Sequence, residues 1–281
     1  MNDPQKKVWF ITGCSSGFGR ALAERALATG ATVAVTARSI ESFVGLKAQY
    51  PSTCLPHVLD VVDPLRVQDV IRSVLAQTGR LDVVVNNAGY GLLASLEEST
   101  ELQLRRNFDT MVFGAVHVMR AVLPALRAQR SGHIVNISAA AAISNYAGFS
   151  IYGGAKSALE GISEGLAAEV KPLGIKLTLV QPGPFRTDFI SRSLEEPPSA
   201  IADYSGTVGK FSAFLRKMDG HQPGDPAKAA AAIIRLVEME NPPFRVALGK
   251  YASEKVDRVL KARLREAETV KELGFGTEYN S

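Results

Sequence analysis

Short apolar runs rich in β-branched residues alternate with longer segments of helical periodicity along most of this chain. Strands that are apolar along their whole length and separated by helices are typical of a parallel sheet covered by helices on both faces. We therefore predict an α/β fold with a doubly wound, Rossmann-type parallel sheet of seven strands. The predicted strands are Val8–Thr12, Thr32–Ala37, Cys54–Leu59, Leu81–Val85, His133–Ser138, Ile175–Val180 and Phe244–Leu248. The predicted helices are Gly19–Ala28, Ile40–Tyr50, Pro64–Gln77, Leu102–Gln129, Tyr152–Lys171 and Pro226–Glu238.

The chain is long enough for one large domain. Of its 281 residues, 46% are apolar, which suffices for a sizeable core, and neither a repeat nor a composition break divides the sequence. We predict a single domain over residues 1–281. Within it, residues 185–224 are interrupted by prolines and glycines and are predicted to form a substrate-loop region. Residues 249–281 are predicted to form a C-terminal helix and tail.

Charge and cysteine content argue against several classes of function. The 32 basic and 28 acidic residues give a net charge of +4, but the basic residues are scattered, which argues against a nucleic-acid partner. The cysteines and histidines lack metal-ligand spacing, so we predict no metal site. Met1–Gln5 does not resemble the start of a signal peptide, and no apolar run reaches the roughly eighteen residues that span a membrane. We expect a cytoplasmic protein with no membrane partner.

A glycine-rich loop, TGCSSGFG at residues 12–19, joins the first predicted strand to the first helix. Glycines let the backbone turn tightly and approach a pyrophosphate, whose charge is then held by amides at the positive end of the helix. The placement of this loop favours a nucleotide site over an ordinary tight turn. The candidate cofactor-binding residues of the loop are Gly13, Ser15, Ser16, Gly17, Phe18 and Gly19.

The end of the second predicted strand indicates which nucleotide is bound. A free ribose 2′-hydroxyl favours an acidic residue at this place, whereas a 2′-phosphate favours a cation. Here Arg38 offers a planar fork of donors and Ser39 a hydroxyl, which predicts NADP(H) rather than NAD(H). The alternative is that Arg38 only faces solvent beside Glu41.

Four further segments follow the glycine-rich loop. They are Asp60-Val61 after the third strand, Asn86-Asn87-Ala88-Gly89 after the fourth, Tyr152-Gly153-Gly154-Ala155-Lys156, and Pro182-Gly183-Pro184-Phe185-Arg186-Thr187. Together, in this order, the five segments resemble the short-chain dehydrogenase/reductase family over about residues 6–248.

The resemblance implies roles for residues around the cofactor. Asp60 and Val61 would contact the adenine, and Asn87, Ala88 and Gly89 would line the cofactor cleft. Pro182, Gly183 and Thr187 belong to the motif that lies beside the pyrophosphate or carboxamide. Family members pair through helices that correspond to Leu102–Gln129 and Tyr152–Lys171, which implies a homodimer or homotetramer.

Tyr152 and Lys156 are the candidate catalytic pair. The resemblance implies that Tyr152 is the general acid for carbonyl reduction and that Lys156 binds the nicotinamide ribose. The spacing of four residues places both side chains on one helix face. A neighbouring ammonium favours the ionised phenol, so we expect Lys156 to lower the pKa of Tyr152.

Two positions depart from the family pattern. Ala139 lies thirteen residues before Tyr152, where the family has a serine that holds the substrate oxygen. Ser138 is the candidate replacement, but alternation along a strand should point its hydroxyl to the other face unless a bulge intervenes. Met111 occupies the position of an asparagine that supports a proton-relay water, and Asn107 lies one turn back, about 6 Å along the helix.

These observations predict an NADP(H)-dependent oxidoreductase that transfers a hydride between the nicotinamide and a carbonyl or alcohol carbon. The alanines of 139–142, with Tyr146, Phe149, Ile151 and Phe185, indicate a small apolar or aromatic substrate. The alternative is an NADP(H)-binding family member with lost or altered redox activity, either a sensor or a protein with non-redox chemistry. Met111 and Ala139 motivate this alternative.

Overall fold

The computed structural model, which describes residues 6–279, contains all seven predicted strands in one parallel sheet. Among the described residues, the strands are β1 Val8–Ile11, β2 Thr32–Ala37, β3 Cys54–Val58, β4 Val83–Asn86, β5 Gly91–Leu92, β6 Gly132–Ile137, β7 Ile175–Pro182, β8 Leu194–Glu195 and β9 Arg245–Leu248. The sheet order is β3-β2-β1-β4-β6-β7-β9. The Rossmann-type fold in a single domain is therefore confirmed.

Helices cover both faces of this sheet. In the described part of the chain, the α-helices are α1 Gly17–Ala28, α2 Val44–Gln49, α3 Pro64–Thr78, α4 Glu101–Phe108, α5 Gly114–Gln129, α6 Ala140–Ile143, α7 Ser150–Val170, α8 Phe189–Arg192, α9 Lys210–Met218, α10 Pro226–Glu238, α11 Lys250–Thr269 and α12 Lys271–Phe275. Alternate residues of β1 point to opposite faces. Trp9 and Ile11 pack with α1 and α10, whereas Val8 and Phe10 pack with α3, α5 and α7. This double burial explains why the strands are apolar along their whole length.

The prediction of one continuous helix over Leu102–Gln129 is wrong. The segment consists of α4, a π-helical turn at Asp109–Phe113, and α5. A π turn adds a residue to one helical turn and occurs frequently at functional sites. It carries Met111 into the apolar cluster that also contains Tyr152.

The run Glu101–Gln129 is, by length and composition, apolar enough to cross a membrane, with a mean hydropathy of 1.3 over its most apolar window. The sequence-based expectation concerned an unbroken apolar run of about eighteen residues, and Arg106, Asp109 and Arg120 interrupt this one. Val118, Val122 and Leu126 on this run are fully buried against the sheet. Core helices of globular proteins also meet this criterion.

The segment 185–224 is tied to the chain after β4. Strands β5 and β8 form a separate two-stranded parallel pair. Farther along, Glu98 Oε1 accepts hydrogen bonds from the Ser199 hydroxyl at 3.0 Å and from the Ala200 and Ile201 amides at 2.7 and 2.9 Å. Two places on residues 91–98 therefore hold this segment.

The C-terminal segment forms α11 and α12, close to the predicted helix and tail. Helix α11 packs on α6 through Ala252, Val256 and Val259, and its Arg263 donates to the Ile143 carbonyl at 2.9 Å. Residues 1–5 and 280–281, including the Met1–Gln5 segment predicted not to be a leader, lie outside the described residues.

The strand order reverses between β1 and β4, which are neighbours in the sheet although they are separated in sequence. In open α/β sheets, ligands bind outside the carboxyl ends of the strands at such a switch point. The loops that follow β1, β4, β6 and β7 begin there. They carry many of the predicted site residues.

Candidate active site

The glycine-rich loop fits closely beneath the segment that follows β4. Gly13 and Gly17 have φ angles of +70° and +58°, in the left-handed region that favours glycine. A Cβ atom at Gly13 would lie 2.9 Å from Ala88 Cα, and one at Gly19 would lie 2.3 Å from the Gly13 carbonyl oxygen. Larger residues at these positions would displace the loop.

Hydrogen bonds from Asn87 and Thr12 hold the loop in place. The Asn87 side-chain amide donates to the carbonyl oxygens of Thr12 at 2.9 Å and Gly13 at 3.0 Å. The Thr12 hydroxyl oxygen accepts from the amides of Asn87 at 2.9 Å and Ala88 at 3.0 Å. The resemblance implies that Asn87 lines the cofactor cleft, and the structure shows that its side chain braces the glycine-rich loop.

The space above the loop suits a nucleotide diphosphate. Ser16 is the N-cap of α1, and its side chain does not cap the helix within the described residues. The first amides of α1 can therefore donate to an anion. Ser15 is exposed. The rings of Phe18 and Phe185 meet edge to face with centroids 4.9 Å apart. Thr187 lies beside Gly17, 3.5 Å from the place of a Cβ atom there.

The residues expected to recognise the adenosine end lie at three strand ends. Arg38 and Ser39 follow β2 and are exposed. The Ser39 hydroxyl donates to Glu41, which lowers the pKa of that carboxyl group. Asp60 is exposed after β3 and accepts from the Val62 amide at 3.2 Å. Val61 is buried against Gly114, 2.6 Å from the place of a Cβ atom there.

Pro182 and Gly183 mark the end of β7. The Gly183 amide donates to the Leu248 carbonyl at 2.9 Å, and a Cβ atom at Gly183 would lie 3.3 Å from the Ala252 amide nitrogen. The start of α11 thus packs directly against this motif.

Tyr152 and Lys156 are both buried on α7. The Tyr152 ring lies 4.9 Å from the Phe149 ring and 5.7 Å from the Phe189 ring, measured between centroids. Burial raises the pKa of Tyr152 well above its usual value. The net shift is thus opposite to the one expected from Lys156 alone, because withdrawal from water disfavours the ionised phenol.

Lys156 points to the sheet. Its Nζ donates to the Ile137 carbonyl at 2.7 Å, and burial lowers the pKa of the ammonium group to about 8, against the opposing charge of Glu160. The group nevertheless remains largely protonated at neutral pH. It lies at the junction of α7 with the carboxyl end of β6.

Ser138 and Ala139 diverge as strand alternation predicts. The Ser138 hydroxyl is buried and donates to Glu160 Oε1 at 2.5 Å, whereas Ala139 lies in the apolar cluster of Tyr152 and Met111. Since the hydroxyl has one hydrogen, in this arrangement it offers no donor to a substrate oxygen. The catalytic role of Ser138 stays a prediction.

Neither Met111 nor Asn107 places a side-chain amide where the family has its asparagine. The place of a Cβ atom on Gly89 is 3.4 Å from Met111 Sδ and 3.8 Å from Lys156 Nζ, so the thioether lies close to the lysine. Asn107 is fully buried, and its side-chain amide donates to the Tyr90 carbonyl at 3.3 Å.

Two buried polar residues, Glu160 and Gln181, lie beside the predicted site without belonging to any of its sequence motifs. The Gln181 side-chain amide donates to Glu160 Oε1 at 2.8 Å and to Oε2 at 3.1 Å. A signal for Glu160 existed, since it lies four residues after Lys156 and so on the same helix face. Gln181 lies within an apolar strand and carried no comparable signal.

Comparison with known proteins identifies the family. The model of the short chain dehydrogenase family matches residues 7–197, more than half of the sequence. The chain belongs to the short-chain dehydrogenase family. This short-chain dehydrogenase is 43% identical to a crystal structure of a short-chain dehydrogenase from Streptomyces avermitilis, with a TM-score of 0.92 over 98% of this chain and 100% of the other.

Two curated relatives are also similar to this short-chain dehydrogenase. It is 36% identical to Oxidoreductase BOA17 of Botryotinia fuckeliana (strain B05.10), over 96% of this chain and 99% of the relative. It is also 36% identical to a 3-ketodihydrosphingosine reductase of Bacteroides thetaiotaomicron, over 87% of this chain and 88% of the relative. Membership of an oxidoreductase family is therefore shown.

Structures of the same fold hold nicotinamide nucleotides. One is ElxO with NADP bound, 26% identical with a TM-score of 0.72 over 86% of this chain and 97% of the other. Another, from Burkholderia phymatum, is a complex with NAD, and at 21% identity and a TM-score of 0.79 it shows the shared fold alone. A nicotinamide nucleotide is thus the supported class of cofactor for this short-chain dehydrogenase.

Proposed function

We propose that this chain is an NADP(H)-dependent oxidoreductase that transfers a hydride between the nicotinamide and the carbonyl or alcohol carbon of a small apolar substrate. The observation that carries the proposal is the pairing of a buried Tyr152 phenol with a buried Lys156 ammonium, on one helix beside the glycine-rich cradle. When bound in that cradle, a nicotinamide nucleotide supplies or accepts the hydride.

Tyr152 is suited to act as the proton donor. Because burial raises the pKa of its phenol, the group is protonated at neutral pH and can give its proton to a substrate oxygen as charge develops there. Lys156 contributes a positive charge close by and would hold a ribose hydroxyl. A protonated phenol is the form that reduction of a carbonyl requires.

The surroundings of Tyr152 support an apolar substrate. Its cluster contains Ala139, Ala141 and Phe149, with Phe189 and Phe211 packed against it. Such a surface removes water from the reacting carbonyl and strengthens electrostatic interactions at the oxygen. The name of the Bacteroides relative specifies reduction of a keto compound, which agrees with a carbonyl substrate.

Arg38 supports the choice of NADP(H). We expect Arg38→Ala to raise the Kd for NADPH roughly 10- to 100-fold and to change the Kd for NADH much less, since a hydrogen bond to a charged group contributes about 1.5–3 kcal/mol. Calorimetric titration with both nucleotides measures this. Arg72→Ala, which removes an exposed arginine of α3 paired with Asp69, is the control. Equal weakening of both nucleotides by Arg38→Ala would contradict a role in 2′-phosphate recognition.

A direct test of the function follows NADPH consumption with a panel of ketones and aldehydes that vary in apolar bulk. We expect turnover with apolar carbonyl compounds and faster turnover with NADPH than with NADH. NADPH binding without consumption on any member of the panel would contradict the proposal.

The alternative, an NADP(H)-binding protein with lost or altered redox chemistry, rests on one specific observation. Ala139 occupies the position of the serine that holds the substrate oxygen in the family, and the neighbouring Ser138 hydroxyl donates to Glu160. A positioned donor to a developing oxyanion contributes about 10²- to 10³-fold in rate. Loss of this donor is compatible with a slow reductase and with a protein that has no reductase activity, and kinetic measurements separate the two.

We expect Ala139→Ser to raise carbonyl reduction by about 100-fold, because Ala139 lies in the cluster of Tyr152 and a hydroxyl there would supply the missing donor. Steady-state kinetics on the best carbonyl compound of the panel measure the effect. Ala128→Ser, at an exposed position of α5, is the matched control. No turnover before or after the substitution would favour the non-redox alternative.

A further inference from the structure

Glu160 is a buried carboxylate that the reaction described above does not use. It lies on α7, one turn after Lys156, and is 9% exposed. Its neighbours come from three strands. The Ser138 hydroxyl after β6 and the Gln181 amide of β7 donate to it at 2.5 and 2.8 Å, and Arg245 Nε of β9 lies 3.7 Å from its Oε2. A carboxylate with this many partners holds α7 to the sheet at one defined place.

The attachment of Glu160 fixes the position of Lys156. Lys156 donates to the carbonyl of Ile137, and Glu160 accepts from Ser138, the next residue of the chain. Two successive turns of α7 are therefore bound to two successive residues at the end of β6. A rotation or shift of the helix that moves Lys156 would break both hydrogen bonds.

The charge of Glu160 also acts on the lysine. Lys156 is withdrawn from water, which disfavours its ammonium form, and the carboxylate one turn away opposes that effect. The groups that face this pair from the surrounding elements are the Ile137 carbonyl, Gln181, Arg245 and Met111. Arg245 is partly exposed and also pairs with Glu164 at 2.9 Å, so it neutralises Glu160 only in part.

We propose that Glu160 is a positioning residue for Lys156. It places a carboxylate one helical turn from this lysine and holds the lysine where it meets the cofactor, and Ser138 serves this carboxylate instead of the substrate. The inference rests on the proposed function, because it assigns Lys156 to the cofactor.

The test measures the Kd for NADPH across pH in Glu160→Gln and in the wild type. We expect wild-type affinity to fall as the pH rises through the titration of Lys156, because the ammonium is the binding form. Without the carboxylate the lysine loses its proton more easily, so the midpoint of this loss should move about one pH unit lower in Glu160→Gln.

Glu164→Gln is the matched control, because Glu164 also pairs with Arg245 but has an exposed side chain. Its midpoint should equal that of the wild type. Ser138→Ala keeps the carboxylate and removes one donor, so it should raise the Kd severalfold with an unchanged midpoint. A merely structural role for Glu160 would change the melting temperature without moving the midpoint.

Identical midpoints in Glu160→Gln, Glu164→Gln and the wild type would overturn the inference. If circular dichroism shows that Glu160→Gln does not fold, Ser138→Ala decides alone, and an unchanged Kd in that variant would overturn the inference. A wild type that does not bind NADPH at any pH would instead overturn the proposed function, and the inference with it.

Discussion

Tyr152→Phe is expected to lower carbonyl reduction by about 10²- to 10⁴-fold, the usual contribution of a positioned general acid. The substitution removes only the hydroxyl, and the Tyr152 ring keeps its packing against Phe149 and Phe189. The Kd for NADPH should therefore change less than threefold. Since turnover falls while binding persists, the loss would be assigned to the proton-transfer step.

Steady-state kinetics with the best carbonyl compound, together with calorimetric titration of NADPH, check this expectation. Tyr50→Phe is the matched control, because Tyr50 packs against the core on the face of the sheet covered by α1 and α10. Its turnover should equal that of the wild type. A Tyr152→Phe enzyme with wild-type turnover would show that another group protonates the substrate.

Gly19→Ala is expected to weaken NADPH binding by more than about 100-fold and to lower the free energy of unfolding by about 1–3 kcal/mol, as overpacking does. The added Cβ would lie 2.3 Å from the Gly13 carbonyl oxygen and 2.4 Å from Asn87 Nδ2. These two atoms form the hydrogen bond that braces the glycine-rich loop. The methyl group must push them apart, and the phosphate cradle changes shape with them.

Gly45→Ala makes the same substitution in helix α2, where a Cβ atom would have no heavy atom within 4 Å. Alanine stabilises a helix interior relative to glycine by about 0.5–1 kcal/mol, so this control should bind NADPH normally and unfold at slightly higher urea. Calorimetry and urea denaturation measure both variants. Wild-type affinity in Gly19→Ala would mean that the loop does not determine cofactor binding.

The sheet could be predicted from sequence because each strand is buried on both faces. That burial makes β1 a continuous apolar run and gives β4 three successive valines, and the helical segments between the strands indicate a parallel sheet. The π turn at Asp109–Phe113 could not be predicted, since an added residue leaves the apolar spacing on both sides helical. The strands β5 and β8 have two residues each, too few for a periodic pattern.

The sequence predicts which residues belong to the candidate site better than it predicts their hydrogen-bond partners and their burial. The spacing of Tyr152 and Lys156 places them on one face of a helix, but the direction of the Tyr152 pKa depends on burial by Phe149 and Phe189, which no local pattern reports. The partner of Ser138 lies 22 residues away on another element. Such a pair forms only once α7 has packed on the sheet.

The attachment of segment 185–224 to residues 91–98 bears on how substrate preference can change among relatives. Through β5–β8 and the Glu98 carboxylate, the two stretches form one folded unit made from chain regions about a hundred residues apart. A graft of 185–224 from another family member would bring new contacts for Gly91, Leu92 and Glu98 and leave the old ones unmatched. Exchange of 185–224 alone is therefore expected to lose these hydrogen bonds, whereas exchange of both parts together is expected to preserve them.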